Sequence, residues 1–524
     1  VTEKYVSVAE MQAIERQANA GGLSYERMME NAGHGLAEVV QEKYGYLAED
    51  GALGLVGSGN NGGDTLVALA YLAEEGWKTC AAIIRPRPAD DPLIARLQAA
   101  GGQVARLDEH FDPQALGQLL HQHGLLLDGV LGTGARLPLK TEVAQVLDFT
   151  RRQLHAMENP PVVIAVDCPS GVDCDSGEAA DECIPAETTV TMAAVKQGLL
   201  KFPAYRLVGE LQVVGIGLAE SGLELPAWEQ VRSSLPDLEW VRAVLPERPP
   251  DAHKGTFGTA LIAAGSANYT GAAWLAGQAA YRVGAGLVTL AVPAPLHAAL
   301  AGQFPEATWV LLPHQDGFIA AEASAALQTH LGRATTLLVG PGFGLEQTTA
   351  QFLERLLGNE QASLPPLVVD ADGLKLLQRL PDWSRRLPPL TVLTPHPGEM
   401  SVLTGLPKDQ IQADRLGLAR HYSQEWGHIV VLKGAFTVIA APDGEAAIIP
   451  VATPALARAG TGDVLAGLIA GLRAQGVQAL EAAVAGAWIH AYAGLLAIEQ
   501  VGNPASVLAG DVLRAAVSII NDLI

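Results

Sequence analysis

Ala52-Leu53-Gly54-Leu55-Val56-Gly57-Ser58-Gly59-Asn60-Asn61-Gly62-Gly63-Asp64 is an apolar strand candidate running into a glycine-rich turn, and Thr65–Glu75 behind it has helical periodicity. A strand that ends in G-x-G-x-x-G and opens a helix is the first unit of a parallel α/β sheet. Its glycines let backbone N–H groups approach a phosphate at the helix N-terminus. The dinucleotide fingerprint is incomplete, because the acidic residue expected about 20 positions on is missing. The next strand candidate, Cys80–Ile84, leads instead into Arg85-Pro86-Arg87. Asn60, Asn61 and Asp64 also put side-chain oxygens where a plain phosphate loop needs none.

Outward from this unit, strand candidates recur at Leu125–Asp128, Val162–Asp167, Thr188–Met192 and Leu211–Val214, with helical patterns such as Leu93–Ala100 between them. This alternation predicts a mostly parallel, Rossmann-like doubly wound sheet over residues 1–225. The rhythm stops where Pro226, Pro236, Pro246, Pro249 and Pro250 fall among charged residues, so 226–250 reads as the linker. A second α/β domain over 251–524 restarts at Thr259–Ala264. It continues through Leu287–Val292, Thr336–Val339, Leu367–Asp370, Thr391–Leu393 and Ile429–Leu432, then a hairpin of Thr437–Ala441 and Ala446–Pro450 around Pro442-Asp443-Gly444. Long helices are expected after Asp463 and over Glu481–Ile498.

Composition narrows the function classes. With 49% hydrophobic and 17% charged residues in 524, the chain can bury large cores, and disorder is excluded as its main state. Lys+Arg minus Asp+Glu is 34 − 56 = −22, which argues against nucleic acid or an anionic membrane as partner. The N-terminus carries no basic-then-apolar leader pattern, and Ala482–Ile498 is shorter than the ~20 residues a span needs. A cytoplasmic protein with a buried Ala-rich helix is expected. Cys80, Cys168, Cys174 and Cys183 show no zinc spacing; reduced thiols are expected, with a Cys174–Cys183 disulfide as the alternative.

Ligands of open α/β sheets bind at the carboxyl edge of the strands, and the chemistry-bearing residues collect there in both halves. In the first half Asp128 ends a strand before Gly132-Thr133-Gly134, Asp167 ends another before Cys168-Pro169-Ser170-Gly171, and Lys196 follows a third. Each aspartate taken singly is also a plausible helix cap. Together they offer a carboxylate base in Asp167 and hard oxygens for a cation in Asn61, Asp128 and Ser170. In the second half Arg458-Ala459-Gly460-Thr461-Gly462-Asp463 precedes an amphipathic helix. Its glycines expose an anion hole for phosphoryl oxygens, and Asp463 is placed to take a proton from an attacking hydroxyl. No G-x-x-x-x-G-K-[ST] occurs, so this is not a P-loop enzyme.

Met28-Met29-Glu30-Asn31-Ala32-Gly33, Gly57–Asp64, Asp128 with Gly132-Thr133-Gly134, and Ala165-Val166-Asp167-Cys168-Pro169-Ser170-Gly171 resemble the NAD(P)HX epimerase domain over about residues 5–220. The resemblance implies interconversion of the R and S hydrates of NAD(P)H. It places substrate at Asn60, Asn61, Gly62, Gly63, Asp64, at Gly132, Thr133, Gly134, Ala135, Arg136, Leu137, Pro138, and at Asp167. It implies potassium at Asn61, Asp128 and Ser170. Thr65 stands where the family usually has glycine.

The second half, from about 240 to 520, carries His253–Gly258, Gly340–Gly344, Asp370-Ala371-Asp372, Thr394–Glu399, Lys433-Gly434 and Ala459–Asp463. This combination resembles the ribokinase-like ADP/ATP-dependent NAD(P)HX dehydratase. By that resemblance Lys433, Gly434, Ala435, Phe436, Thr437 and Gly462 bind nucleotide. Gly271, Ala272, Gly342 and His396 line the hydrate site, with Asp463 catalytic. Ala452-Thr453-Pro454-Ala455 departs from the family, which often has Asn before the proline. The whole implies a bifunctional repair protein, a homo-oligomer acting on NADHX or NADPHX with ADP as phosphoryl donor and Mg²⁺ assisting. The sequence does not decide between the two hydrates, although Arg85 and Arg87 could meet a 2′-phosphate. The rival reading is a small-molecule kinase with a non-catalytic nucleotide-binding module in front.

Overall fold

The computed structural model describes residues 2–109, 111–358 and 364–523. The chain divides into two compact units, Glu3–Val231 and the part beginning at Arg232.

The first unit is built on a seven-stranded parallel sheet in the order Gln103–Arg106, Thr79–Ile83, Ala52–Val56, Leu125–Gly129, Val162–Val166, Thr188–Met192, Glu210–Val214. The four inner strands from Thr79–Ile83 to Val162–Val166 are almost wholly buried, which is why they read as continuous apolar runs rather than alternating ones. The strand order reverses between Ala52–Val56 and Leu125–Gly129, opening a crevice at their carboxyl ends. The edge strand Gln103–Arg106 is short and half-exposed, and the sequence gives no apolar run to mark it.

The helix after the glycine turn is Asn60–Glu74, so it starts at Asn60 rather than at Thr65. Asn60 and Asn61 therefore occupy its first turn instead of a loop, and Asp64 follows directly after that turn. The helix lies between the sheet and the Tyr25–Tyr44 helix, which explains its apolar composition on all sides. Thr65 is accommodated because Gly129 faces it: a Cβ at Gly129 would stand 1.8 Å from Thr65 Oγ1, and that hydroxyl donates to Asn61 O at 2.8 Å. The Val8–Ala20 helix begins in a capping box, with Glu10 N donating to Ser7 Oγ and Ser7 N to Glu10 Oε2.

Residues 226–250, expected as a linker, carry structure. A short helix, Pro226–Glu229, closes the first unit. Ser233–Leu235 adds a strand parallel to Ala446–Ile448, and Leu238–Val244 is a helix capped by Asp237 whose Val241 is fully buried in the second core. The prolines mark the starts and ends of these pieces rather than an open connection.

The second unit's sheet runs Thr308–Leu312, Leu287–Pro293, Thr259–Ala263, Thr336–Val339, Leu367–Val369, Val392–Leu393, Ile429–Leu432, all parallel, and then the antiparallel hairpin Val438–Ala440 and Ala446–Ile448. Thr461–Ala474 packs on Thr270–Arg282 and on Ala479–Val501. The contact is close because Gly467 has no side chain: a Cβ there would meet Ala276 O at 2.2 Å. Ala479–Val501 has 23 residues, longer than expected; it is apolar enough to cross a membrane, but 72% of its apolar window is buried in this core.

All four cysteines are free thiols. The Cys174–Cys183 alternative is therefore not formed.

Candidate functional sites

At the switch point of the first unit lies a cleft of about 760 Å³. It brings together Asn60, Asn61, Asp64, Gly132, Thr133, Gly134, Ala135, Arg136, Pro138 and Asp167, as expected from the sequence. Gly62 and Gly63 are not part of its lining. Their lack of side chain serves packing, since a Cβ would stand 2.1 Å from Gly57 O and 2.5 Å from Met29 Sδ respectively. Leu137 is exposed and does not line the cleft either.

Asp167 sits just past its strand with φ at 64°, a left-handed conformation that aspartate tolerates better than most residues. The turn brings the carboxylate to the end of the neighbouring strand, Thr188–Met192. Asp167 Oδ1 accepts hydrogen bonds from Lys196 Nζ at 2.5 Å, Thr191 Oγ1 at 3.1 Å and Met192 N at 3.1 Å. Lys196 is 1% exposed, and its other two protons go to Thr191 Oγ1 and Met192 O. The lysine is therefore a fixed counter-charge, not a nucleophile. Asp64 and Glu15 share the cleft. Burial, then the Asp167 charge, hold the Asp64 carboxyl well above its usual range against the pull of Lys196. Burial raises Glu15 as well, with Lys196 opposing. The cleft thus offers an ion-paired carboxylate beside a buried carboxyl group whose protonated form is favoured. Glu15 was missed from the sequence because it lies inside the Val8–Ala20 helix, outside every strand-end motif.

The proposed cation ligands also meet. Asn61 Nδ2 donates to Leu131 O at 2.9 Å, Ser170 Oγ accepts from Leu131 N at 2.9 Å, and Ser170 N donates to Asp128 Oδ2 at 2.8 Å. Asn61 Oδ1 and Asp128 Oδ1 are both buried with no hydrogen-bond donor among the described residues. Burial raises the Asp128 carboxyl, opposed by its bonds to Ser170.

In the second unit the strand ends again converge. Asp370 Oδ1 accepts from Lys433 Nζ at 2.6 Å and from Thr394 Oγ1 at 2.7 Å, and Glu399 Oε2 lies 3.7 Å from the same ammonium. Burial acts to lower the Lys433 ammonium, but Asp370 and Glu399 outweigh it and the net shift is upward. Lys433, assigned to nucleotide from the sequence, is thus also the counter-charge of an acidic cluster. A Cβ on Gly462 would stand 3.5 Å from Lys433 Nζ, so the glycine turn of Thr461–Ala474 opens directly over it. Asp463 in that first turn is pushed up to about 7, by burial and by Asp370, against Lys433, with Asp372 and Glu399 adding. Gly434-Ala435-Phe436-Thr437 form the tight turn between Ile429–Leu432 and Val438–Ala440 beside Lys433, closed by Thr437 Oγ1 donating to Gly434 O. Thr453, at the departure from the family, caps the short Pro454–Leu456 helix through its hydroxyl.

Gly342 and Ala272 are in contact range, a Cβ on the glycine meeting Ala272 Cβ at 2.8 Å, while Gly271 faces open space. His396 is an N-cap. Its Nδ1 accepts from Gly398 N and Glu399 N, and Glu399 returns a bond to His396 N. Burial would raise Glu399, but His396 and Lys433 bring it down to about 2. Half of the His396 side chain is exposed, so its surface remains open to a ligand although its Nδ1 is committed to the cap. His490, met in the sequence merely inside an apolar run, proves to be a support of this site. Its buried ring lies close to the Thr461 backbone under the glycine turn, and burial lowers its pKa to about 4, so it adds no charge there.

Two family models match the chain: NAD(P)H-hydrate dehydratase over residues 260–516, and YjeF-related protein N-terminus over residues 25–198. The bifunctional NAD(P)H-hydrate repair enzyme Nnr of Moorella thermoacetica is 37% identical over 97% of this chain and 95% of its own length. That of Salinibacter ruber is 36% identical over 96% and 93%. A solved ADP/ATP-dependent NAD(P)H-hydrate dehydratase from Bacillus subtilis is 31% identical, covering 55% of this chain and 98% of its own with a TM-score of 0.47. With both site geometries and near-full-length relatives in agreement, the chain belongs to the family of bifunctional NAD(P)H-hydrate repair enzymes, an epimerase joined to an ADP/ATP-dependent dehydratase.

Proposed function

We propose that the first cleft epimerises the hydrate by opening and reclosing its ring. The reacting carbon, C6, bears both a hydroxyl and the ring nitrogen. Asp167 removes the hydroxyl proton as the C–O bond becomes a carbonyl and the C6–N1 bond breaks. The electron pair of that bond stays on N1, which takes the proton held by Asp64. Rotation about C5–C6 turns the carbonyl's other face to the nitrogen, and the reverse steps close the other epimer. No atom is gained or lost. The observation that carries this reading is the placement in one cleft of a Lys196-bound Asp167 and a second, buried carboxyl group, Asp64, whose burial favours the protonated form.

In the second unit Asp463 takes the C6 hydroxyl proton while the oxygen attacks the terminal phosphoryl group of ADP, releasing AMP. The C6 phosphate is a good leaving group. The N1 lone pair expels it, and loss of a C5 proton regenerates the dihydronicotinamide. The first-half-then-second-half fusion, shared with the bacterial relatives, supports ADP as donor. Mg²⁺ would be held by the nucleotide phosphates with acidic strand-end groups such as Asp370 and Asp372, and it would neutralise phosphoryl charge.

Potassium fits the first unit. Two orphaned buried oxygens, a hydroxyl and one carboxylate charge make an all-oxygen donor set for a monovalent ion. No group of three His, Cys, Asp or Glu side chains able to hold a metal occurs among the described residues, as a zinc-type site would require. Asn61, Asp128 and Ser170 would hold the ion, which when bound supplies a fixed positive charge at the cleft wall. Replacing K⁺ by choline, or Asp128 by Asn, is expected to slow epimerisation at least about tenfold. K⁺ is also expected to raise the melting temperature of the wild type but not of Asp128→Asn. An Asp128→Asn protein that epimerises at the wild-type rate and still melts higher in K⁺ would contradict the assignment.

A further inference from the structure

The geometry points to a 2′-phosphate subsite at Arg85, through which the epimerase cleft prefers the phosphorylated hydrate, NADPHX, to NADHX. The inference rests on the epimerase reading of the cleft and adds the part of the substrate remote from the reacting carbon.

Sheet order supplies the first argument. Asp167 follows Val162–Val166 and Arg85 follows Thr79–Ile83, with Ala52–Val56 and Leu125–Gly129 between them. Three inter-strand steps of ~4.8 Å put the two strand ends about 14 Å apart along the cleft. A dinucleotide laid across the switch point bridges that distance. Its nicotinamide lies at Asp167, its pyrophosphate at the Asn60 helix N-terminus and its adenosine ribose at the end of Thr79–Ile83.

The charges supply the second. The acidic side chains lining the cleft are Glu15, Asp64 and Asp167, all grouped around Lys196 at the nicotinamide end. Among the described residues no carboxylate lines the cleft beside Thr79–Ile83 to accept the hydroxyls of an unphosphorylated ribose, as an NAD-selective site would require; Asp91 is held by Arg87, and Glu142 reaches this strand end from outside the lining with its side chain 86% exposed.

Availability supplies the third. Arg87 is committed: Nη1 donates to Gly57 O at 2.9 Å and Gly59 O at 3.3 Å, and Nε to Asp91 Oδ2 at 2.7 Å, so it braces the glycine turn. Lys196 is buried and saturated. Arg136 and Lys140 also line the cleft, from the segment after Leu125–Gly129. Arg85 lines the cleft and is partly exposed. Its charge partner, Glu142, stands 3.9 Å away with a side chain 86% exposed. Such a pair is weak and readily exchanged for a dianion, to which a guanidinium binds through two parallel hydrogen bonds.

The test uses the full-length protein without nucleotide, following R-to-S conversion of purified R-NADPHX and R-NADHX by chromatography. The wild type is expected to favour NADPHX in kcat/KM. In Arg85→Gln the NADPHX-to-NADHX ratio of kcat/KM is expected to fall at least about tenfold, through KM, with Arg85→Lys recovering part of it. An unchanged ratio in Arg85→Gln, with interconversion intact, overturns the subsite alone. A wild type that interconverts neither hydrate overturns the epimerase reading and the subsite with it.

Discussion

Asp463→Asn is expected to lower kcat for dehydration of the S hydrate by about a hundred- to ten-thousand-fold, the usual contribution of a positioned general base. R/S interconversion by the other unit continues. The environment sets the working pH. Burial and Asp370, partly offset by Lys433 and reinforced by Asp372 and Glu399, push the Asp463 carboxyl up to about 7. The base form requires the proton off, so kcat/KM falls about tenfold per unit as pH drops below that value and levels off above it. The sign of the stability effect follows from the same shift. The folded state holds this proton more tightly than the unfolded chain, whose carboxyl has the ordinary value of 3.8. The group's stabilising contribution is therefore complete below that ordinary value, and it is lost as pH rises through about 7. At pH above about 7 an ionised Asp463 destabilises its domain, and the asparagine variant should melt higher than wild type while failing to dehydrate. Loss of activity together with a lower melting temperature would indicate broken packing and contradict the role as base.

Asp167→Asn is expected to reduce interconversion of the epimers by a comparable factor, about a hundred- to ten-thousand-fold. Asparagine keeps the shape and tolerates the left-handed backbone at this position, but its amide does not take up the hydroxyl proton. The same substitution strips Lys196 of its counter-charge, and an unpaired ammonium that is 1% exposed is costly. This variant should therefore melt lower, the opposite of Asp463→Asn. Given both hydrates and ADP, it should regenerate the S share at the wild-type rate and the R share at the slow spontaneous rate. A single fast phase covering both would remove Asp167 from the mechanism.

Both domains and most strand ends were legible because a strand buried on both faces is a continuous apolar run, and the residue that terminates it is polar. Asp128, Asp167, Asp370 and Lys433 were found in this way. Residues that reach the sites from outside the strand ends were not. Glu15 comes from a helix near the N-terminus, and His490 from the middle of an apolar helix where a lone histidine looks structural. Competition between capping and chemistry was legible only in part: the sequence allows Glu399 to cap the following helix, but not His396 as its partner in the cap. His396 and Glu399 form a capping box, a role that any S/T/D/N-x-x-E pattern would have signalled but that histidine rarely fills. Arg85 and Arg87 were indistinguishable by sequence, two residues apart at one strand end. The fold turns Arg87 onto the carbonyls of Gly57 and Gly59 and leaves Arg85 lining the cleft. The proline-rich 226–250 stretch misled because prolines punctuate short elements as readily as they mark linkers.

The most direct test of the account is full-length protein incubated with an equal mixture of R and S hydrates and ADP, recording the absorbance of the reduced nicotinamide together with AMP and phosphate. Complete conversion of both epimers, with one AMP and one phosphate formed for each NAD(P)H, is the predicted result. Accumulation of a stable phosphate ester without recovery of the reduced cofactor would contradict it and favour a small-molecule kinase. A rapid phase that ends at the S share would contradict epimerisation in the first cleft.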